Sequence, residues 1–458
     1  MNFIWPDLGY AYSPLMTRAV IMIHPNTSGS KGSHVEPLLQ SSPFDFMSIL
    51  HVLNSGYIER EADTQLLNAV RATQFCAVLA PPQSGKSSLQ QHVSAQLMTE
   101  GTVCLTIDLS KATHDDLQSY SDQGQWFNKE SCDIHFDGDN PPPMAAKNPY
   151  GHLILSELWH GITDLPPDHL PFWLSTHPTD TILPQLDQLL EEILLVHCEE
   201  RPVVIFVDGL DAHLTNNASV QELLLLIRRC YNRRSRDPIY RKLTFCLLGN
   251  ANPERLMCPD EHESSHNPFP VCQFIVPKGF TPDQAIDFFP ILADVVANPH
   301  LALRLIVQLT GGQPLLTHQL CHLVRTQALT PAEPQTFDLN TIPDIAQKHL
   351  ADTSHFQRVC DRFQRTGPLL EDCLARYQRL LLEGDSPITD EAEDVAVVTE
   401  LCLAGLVVKD GNRLAIASPI YQDMFDRQWL LDMFNHHQVG LTHFCTAPTV
   451  HDCANLCK

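Results

Sequence analysis

The chain has 458 residues, 30 basic and 54 acidic, for a formal net charge of −24. That length allows two or three domains, each with its own core, while the acidic balance argues against nucleic acid as a partner of the surface as a whole. With no run of eighteen apolar residues and no basic-then-apolar leader at the N-terminus, a membrane span and an exported protein are both unexpected, and the cytoplasm is the default.

Residues 1–45 show no sustained period and are rich in Ser, Pro and Gly, the composition of a poorly ordered arm. Folding is expected to start near Phe46. The first informative stretch is Phe75-Cys-Ala-Val-Leu-Ala-Pro-Pro-Gln-Ser-Gly-Lys-Ser-Ser88: an apolar strand, a tight loop and the start of a helix, in series. Leu89, Val93 and Leu97 recur at four-residue spacing, so one helix face packs on a sheet while Gln90, Gln91 and Gln96 are expected in water. This is the build of a nucleoside-triphosphate site. In it Gln83, Ser84, Gly85, Lys86, Ser87 and Ser88 wrap the phosphates, Lys86 neutralises β/γ charge and the Ser87 hydroxyl ligates Mg²⁺. Ala80 stands where such loops open with Gly.

The second half of such a site is an apolar strand ending in Asp, and Pro202-Val-Val-Ile-Phe-Val-Asp208 supplies it, with Asp208 holding Mg²⁺ through water or Ser87. The next residue in ATPases of this build is a Glu that polarises water; here it is Gly209. Asp211, two residues on, is the substitute candidate for the general base. Slow turnover is the consequence, and a Glu at 209 is expected to raise it.

Further apolar strands fall at Val103–Ile107, Leu243–Leu248 and Val271–Val276, alternating with helical segments such as Leu183–Val196 and Gln221–Asn232. Alternation of this kind predicts a parallel sheet covered by helices on both faces. Asp122–Tyr150, with Pro141-Pro-Pro143, reads as a surface insertion and Pro259–Pro270 as loop. The basic run Arg228–Arg236 at the end of Gln221–Asn232 is either a solvated helix end or a sensor of a neighbour's nucleotide. From Pro282 to about Thr326 the pattern is helical, broken at Gly311-Gly312-Gln-Pro314. Beyond it, helical Leu370–Leu382, a turn at Gly384–Pro387, helical Glu391–Ala404 and a hairpin over Leu406–Ile416 with Asp410-Gly411 at its tip read as a winged helix. The fifteen cysteines, several scattered singly (Cys76, Cys104, Cys246, Cys321), read mostly as buried free thiols. In the tail, His443, Cys445, His451, Cys453 and Cys457 match no common zinc spacing; a disordered end and a zinc site both stand.

These stretches, together with Tyr57-Ile-Glu-Arg-Glu-Ala-Asp63, Thr106-Ile-Asp-Leu109, Val207-Asp-Gly-Leu-Asp211, Leu226–Asn232, Tyr240–Gly249, Thr310–Leu315 and Gly405-Leu-Val-Val408, resemble the AAA-like ATPase domain of bacterial signalling proteins, a relative of the STAND class of P-loop NTPases. The resemblance runs from about Phe46 to Phe434. It implies an α/β fold: a P-loop NTPase core over 46–280, a helical segment over 281–335, a winged-helix domain over 336–435 and a tail over 436–458. It further implies a switch operated by ATP and ADP, with Pro314 touching the nucleotide and coupling the core to the winged helix. By the same resemblance Arg60 contacts base or ribose, a surface ion pair being the other reading, and Asn250 or Asn252 faces the γ-phosphate.

Three functions follow as expectations. The first is a STAND-like ATP-binding switch with slow hydrolysis, acting through protein partners or as a homo-oligomer. The second is a nucleotide-binding scaffold that no longer hydrolyses. A DNA-binding regulator is disfavoured, because Glu391–Ala404 carries Glu391, Glu393, Asp394 and Glu400 but no Lys or Arg for phosphate contacts.

Overall fold

Five parallel strands carry the N-terminal part: β1 (Cys76–Leu79), β2 (Val103–Asp108), β3 (Val203–Leu210), β4 (Leu243–Gly249) and the short β5 (Gln273–Phe274), paired in the order β2-β3-β4-β1-β5. The computed structural model describes residues 57–111, 149–162, 169–179, 181–211, 214, 217–256, 267–329, 337–351, 353–389 and 391–437, all within one unit of the chain. The expected arm 1–45, most of the insertion Asp122–Tyr150, most of Pro259–Pro270 and the Cys/His tail residues lie outside those ranges.

Side chains alternate along each strand, and each set finds its own layer. Phe75, Ala77, Leu79, Ile205, Val207, Phe245 and Leu247 point to one face. There they pack on α3 (Pro149–Gly161), α4 (His169–Thr176), α5 (Ile182–Gln188) and α6 (Ala218–Arg233). Cys76, Val78, Val204, Phe206, Cys246 and Leu248 point to the other, against α1 (Glu61–Arg71) and α2 (Lys86–Thr99). Helices therefore cover both faces, which is why the strands read as continuous apolar runs. Gln90 departs from expectation: it is buried, donating from Nε2 to Thr106 Oγ1 at 2.9 Å, so only Gln91 on that helix is fully exposed among the three glutamines. The helix predicted over Leu183–Val196 runs on from α5 through a π-helical stretch, Leu189–Leu194, to Leu195–His197.

After the sheet the chain becomes helical: α7 (Pro299–Thr310) and α8 (Pro314–Leu329) meet at Gly311–Gln313, where the glycines and proline end one helix and start the next. Then come α9 (Ile342–Leu350), α10 (Ser354–Gln364) and α11 (Leu370–Glu383), followed by β6 (Asp385–Pro387), α12 (Ala392–Ala404), β7 (Val407–Asp410), β8 (Arg413–Ile416), α13 (Pro419–Met424) and α14 (Arg427–His437). The segment 384–387, expected as a turn, supplies a third strand, and β6-β8-β7 form an antiparallel sheet. One apolar cluster running from Ile58 to Phe434 joins these helices and that sheet. Strand β5 is shorter than expected because Phe269–Val271 forms a 3₁₀ turn with Pro270 inside it.

No helix among the described residues is long and apolar enough to cross a membrane. Cys76, Cys198, Cys230, Cys246, Cys321 and Cys373 are buried free thiols, and burial pushes the Cys76 thiol up to about 12.

Candidate functional site

The order β2-β3-β4-β1-β5 puts the chain's reversal beside β1, and a ligand crevice in such a sheet opens at the carboxyl ends of its strands. Four candidate residues meet there. Gly85, in the left-handed region at φ 84°, caps the N-terminus of α2, so that the loop turns and the first helical N–H groups face the crevice. Lys86 Nζ folds back to donate to the carbonyls of Ala80 at 2.9 Å and Pro81 at 2.8 Å. Ser87 Oγ donates to Asp208 Oδ2 at 2.6 Å, joining loop and strand across 121 residues of sequence. Both are hard oxygen donors suited to a divalent cation.

Burial pushes the Lys86 ammonium below its ordinary range; the Asp211 and Asp208 carboxylates oppose the shift and the charge of Arg362 adds to it. Burial likewise raises the Asp208 carboxyl, against hydrogen bonds from Ser87 and from the Gly209 amide at 2.8 Å. Asp108, its register neighbour on β2, adds to the rise. Asp108 lies one residue past the strand expected over Val103–Ile107, and nothing in its spacing announced that parallel pairing would set it beside Asp208.

Gly209 has a backbone reason to be Gly. Its φ is 81°, the register slips between Val207 and Leu210, and a Cβ there would lie 2.9 Å from the Ser110 amide nitrogen. A Glu at this position would be strained, so the substitution expected to raise turnover does not fit this backbone. Asp211 follows at once, half-buried, its amide donating to the Gly209 carbonyl at 2.7 Å.

The remaining loop residues spread around this centre. Ser88 is half-buried in the first turn of α2. Ser84 is buried, and Gln83 takes a positive φ of 57°. Arg60 is buried and not on a surface ion pair: Nη1 donates to the carbonyls of Ser84 at 2.8 Å and Lys278 at 3.3 Å, and Nη2 to Gly85 at 3.4 Å. It braces the loop from its carbonyl side. Pro314 lines a cavity of about 990 Å³ with Arg60, Pro81, Ser84 and Lys278, and the preceding Gln313 donates from Nε2 to the Gln83 carbonyl at 2.9 Å.

Sequence reasoning missed the residues that approach from the C-terminal part. His355 of α10, fully buried, pairs through Nδ1 with Gln83 Oε1 at 2.7 Å and through Nε2 with the Tyr421 hydroxyl at 2.6 Å. Arg362, about two turns further along the same helix, donates from Nε to the Asn250 carbonyl at 2.9 Å and from Nη2 to Glu400 Oε2 at 2.8 Å. Asn252 donates to the same Glu400 at 3.1 Å. The basic run is bound within the chain: Arg233 pairs with Asp187 at 3.1 Å and Glu191 at 2.6 Å, and Arg229 with Asp187 at 3.2 Å.

Several known proteins are similar to this chain. An uncharacterized WD repeat-containing protein of Synechocystis is 30% identical over 408 residues, 87% of this chain and 31% of its own length, so the chain spans less than a third of that relative. Among solved structures, a Walker-type ATPase of Pyrococcus abyssi aligns at a TM-score of 0.47 and 15% identity, covering 80% of this chain and 95% of its own. The ORC2 protein of Aeropyrum pernix, in ADPNP–ADP complexes, aligns at 0.44 and 11%, covering 85% and 98%. Residues 184–427 match the AAA-like domain. That match takes in more than half of the 458 residues, and the chain belongs to the AAA-like domain family.

Proposed function

We propose that this chain is an ATP-binding, STAND-like switch in signalling, with slow hydrolysis. The observation that carries the reading is the Ser87–Asp208 hydrogen bond at 2.6 Å beside Lys86, with His355 hydrogen-bonded to Gln83 of the same loop at 2.7 Å. Lys86 would meet the β- and γ-phosphates, Ser87 and Asp208 would hold Mg²⁺ with them, and a bound Mg²⁺ would neutralise charge on the phosphate oxygens. Arg60 would fix the loop's shape, and Pro314 would line the base end of the site. Residues 336–435, read as a winged helix, would pack on the nucleotide site and move with its state.

Partners are proteins in this reading. The WD-repeat relative supports it, since repeat arrays offer extended binding surfaces, and a homo-oligomer is a second way to use the same switch. The free thiols support a reducing compartment, the cytoplasm. Gly209 favours a second reading, a nucleotide-binding scaffold that does not turn over, because the backbone leaves no room for a carboxylate there.

Nucleotide released from the purified, denatured protein tests the proposal. Stoichiometric adenine nucleotide supports it; a protein that carries none and takes up neither ATP nor ADP contradicts it.

A further inference from the structure

We propose that the free edge of β5, with α12 and β7, forms a docking groove for an extended segment of a partner protein, one with alternating apolar side chains and an acidic residue, which adds a strand outside β5. The proposal does not rest on the nucleotide reading.

Strand β5 stands at the edge of its sheet, paired on one side only. Gln273 donates to the Phe75 carbonyl at 2.7 Å and Ile275 to the Ala77 carbonyl at 2.9 Å, which commits those amides to β1. Backbone groups alternate in direction along a strand, so the N–H and C=O of Phe274 face away from β1. They have no hydrogen-bond partner among the described residues. The side chains alternate as well: Ile275 is buried against α1 and α2, whereas Phe274 is 52% exposed and Val276 62%. Proteins ordinarily blunt such an edge with charge or proline, because it is a template for another strand. Here Pro270 and Pro277 bracket the segment and leave Phe274 and Val276 exposed between them.

These two side chains do not stand alone. They line the cavity of about 990 Å³ together with Val395 of α12 and Val408 of β7, which are also exposed. Four exposed large apolar side chains around one cavity mark an interaction site rather than scattered surface residues. The charges say what kind of segment fits. The chain carries 54 acidic residues against 30 basic, yet no Asp or Glu is among the described residues that line this cavity, while Arg60, Lys278 and Lys409 are. Arg60 is committed to the loop carbonyls. Lys278 has only a solvent-exposed pair with Glu61 at 3.6 Å, and the exposed Lys409 has no ion pair among the described residues. An acidic residue in the incoming strand meets those two ammonium groups, whereas a basic segment is repelled. Main-chain bonds to Phe274 supply affinity and the seating of alternate side chains supplies selectivity, the mode of strand addition at a sheet edge.

The test is a phage library of random heptapeptides panned on the full chain, followed by fluorescence anisotropy of the selected sequences as synthetic peptides. We expect sequences with alternating apolar residues and an Asp or Glu, whose binding weakens about tenfold or more in Phe274→Glu and in Lys409→Glu. The two substitutions lie on different elements, and either one carries the test if the other fails to fold. N-methylation of every second peptide nitrogen should abolish binding in one phase and spare it in the other, as a strand paired along one side requires. A library that yields no sequence dependent on Phe274 or Lys409, or equal effects of methylation in the two phases, overturns the proposal. A dimer of the unmodified chain that Phe274→Glu splits, seen by sedimentation, gives the edge to a second copy and overturns it too.

Discussion

Gln83 Oε1 and His355 Nδ1 lie 2.7 Å apart although 272 residues separate them, so the loop between β1 and α2 is hydrogen-bonded directly to α10. An amide oxygen only accepts, so in this arrangement Nδ1 carries the proton and Nε2 accepts from the Tyr421 hydroxyl at 2.6 Å. The imidazole is neutral: burial, with help from the charge of Arg358, lowers it to about 3. The folded value lies below the unfolded one, near 6.5, so the unfolded state binds the extra proton. The resulting stability is full above about pH 6.5 and is lost as pH falls toward 3, at ~1.4 kcal/mol per pH unit. His318, lowered to about 4 by burial with help from His322, acts in the same sense. Urea unfolding at pH 8 and pH 5 should show the unmodified protein losing about 2 kcal/mol more than His355→Gln. Parallel pH curves for the two proteins would remove His355 from the account.

Glu400 is fully buried between Arg362, Arg255 and Asn252. Glu400→Gln should cost about 3–5 kcal/mol, because it leaves the buried Arg362 charge uncompensated. Adding Arg362→Gln should recover part of that loss. Denaturant midpoints of the single and double variants measure it, and a single-variant loss below about 1 kcal/mol would mean that water reaches the pair.

The acidic pattern of α12 shows where sequence reading stopped. Glu391, Glu393, Asp394 and Glu400 entered the sequence reading only as acidic residues of a helix with no Lys or Arg, and the inward turn of Glu400 depends on Arg362 arriving from another helix. The loop and the strands β1 and β3 were legible because their signals are local: apolar runs, Gly85-Lys86-Ser87, and an Asp at a strand end. So was the break at Gly311–Pro314. Strand β6 was not, since its three residues become a strand only by pairing with Arg413, Leu414 and Ala415. Gln90 was misread for a similar reason: its amide is buried because Thr106 on β2 accepts from it. Of the site, the residues contributed by one segment could be named from sequence, whereas His355, Arg362 and Asp108 acquire their meaning from tertiary contacts.

Hydrolysis should depend on Asp211. With no room for a carboxylate at Gly209, Asp211 is the acidic residue after β3 whose charge reaches Lys86. Asp211→Asn should reduce any ATP turnover by about 10²-fold or more while nucleotide affinity changes little. Phosphate release under single-turnover conditions would separate the two effects. Turnover that survives the substitution would assign the base elsewhere.

The central claim is that the loop around Lys86 binds nucleotide phosphates with Ser87 and Asp208 beside it. Calorimetry of Mg·ATP and Mg·ADP against the unmodified protein and Lys86→Ala tests it most directly, because the substitution removes the loop's main side-chain counter-charge without touching its glycine or its helix cap. The account predicts saturable binding in the first protein and none detectable in the second. Equal affinity in both proteins would contradict it.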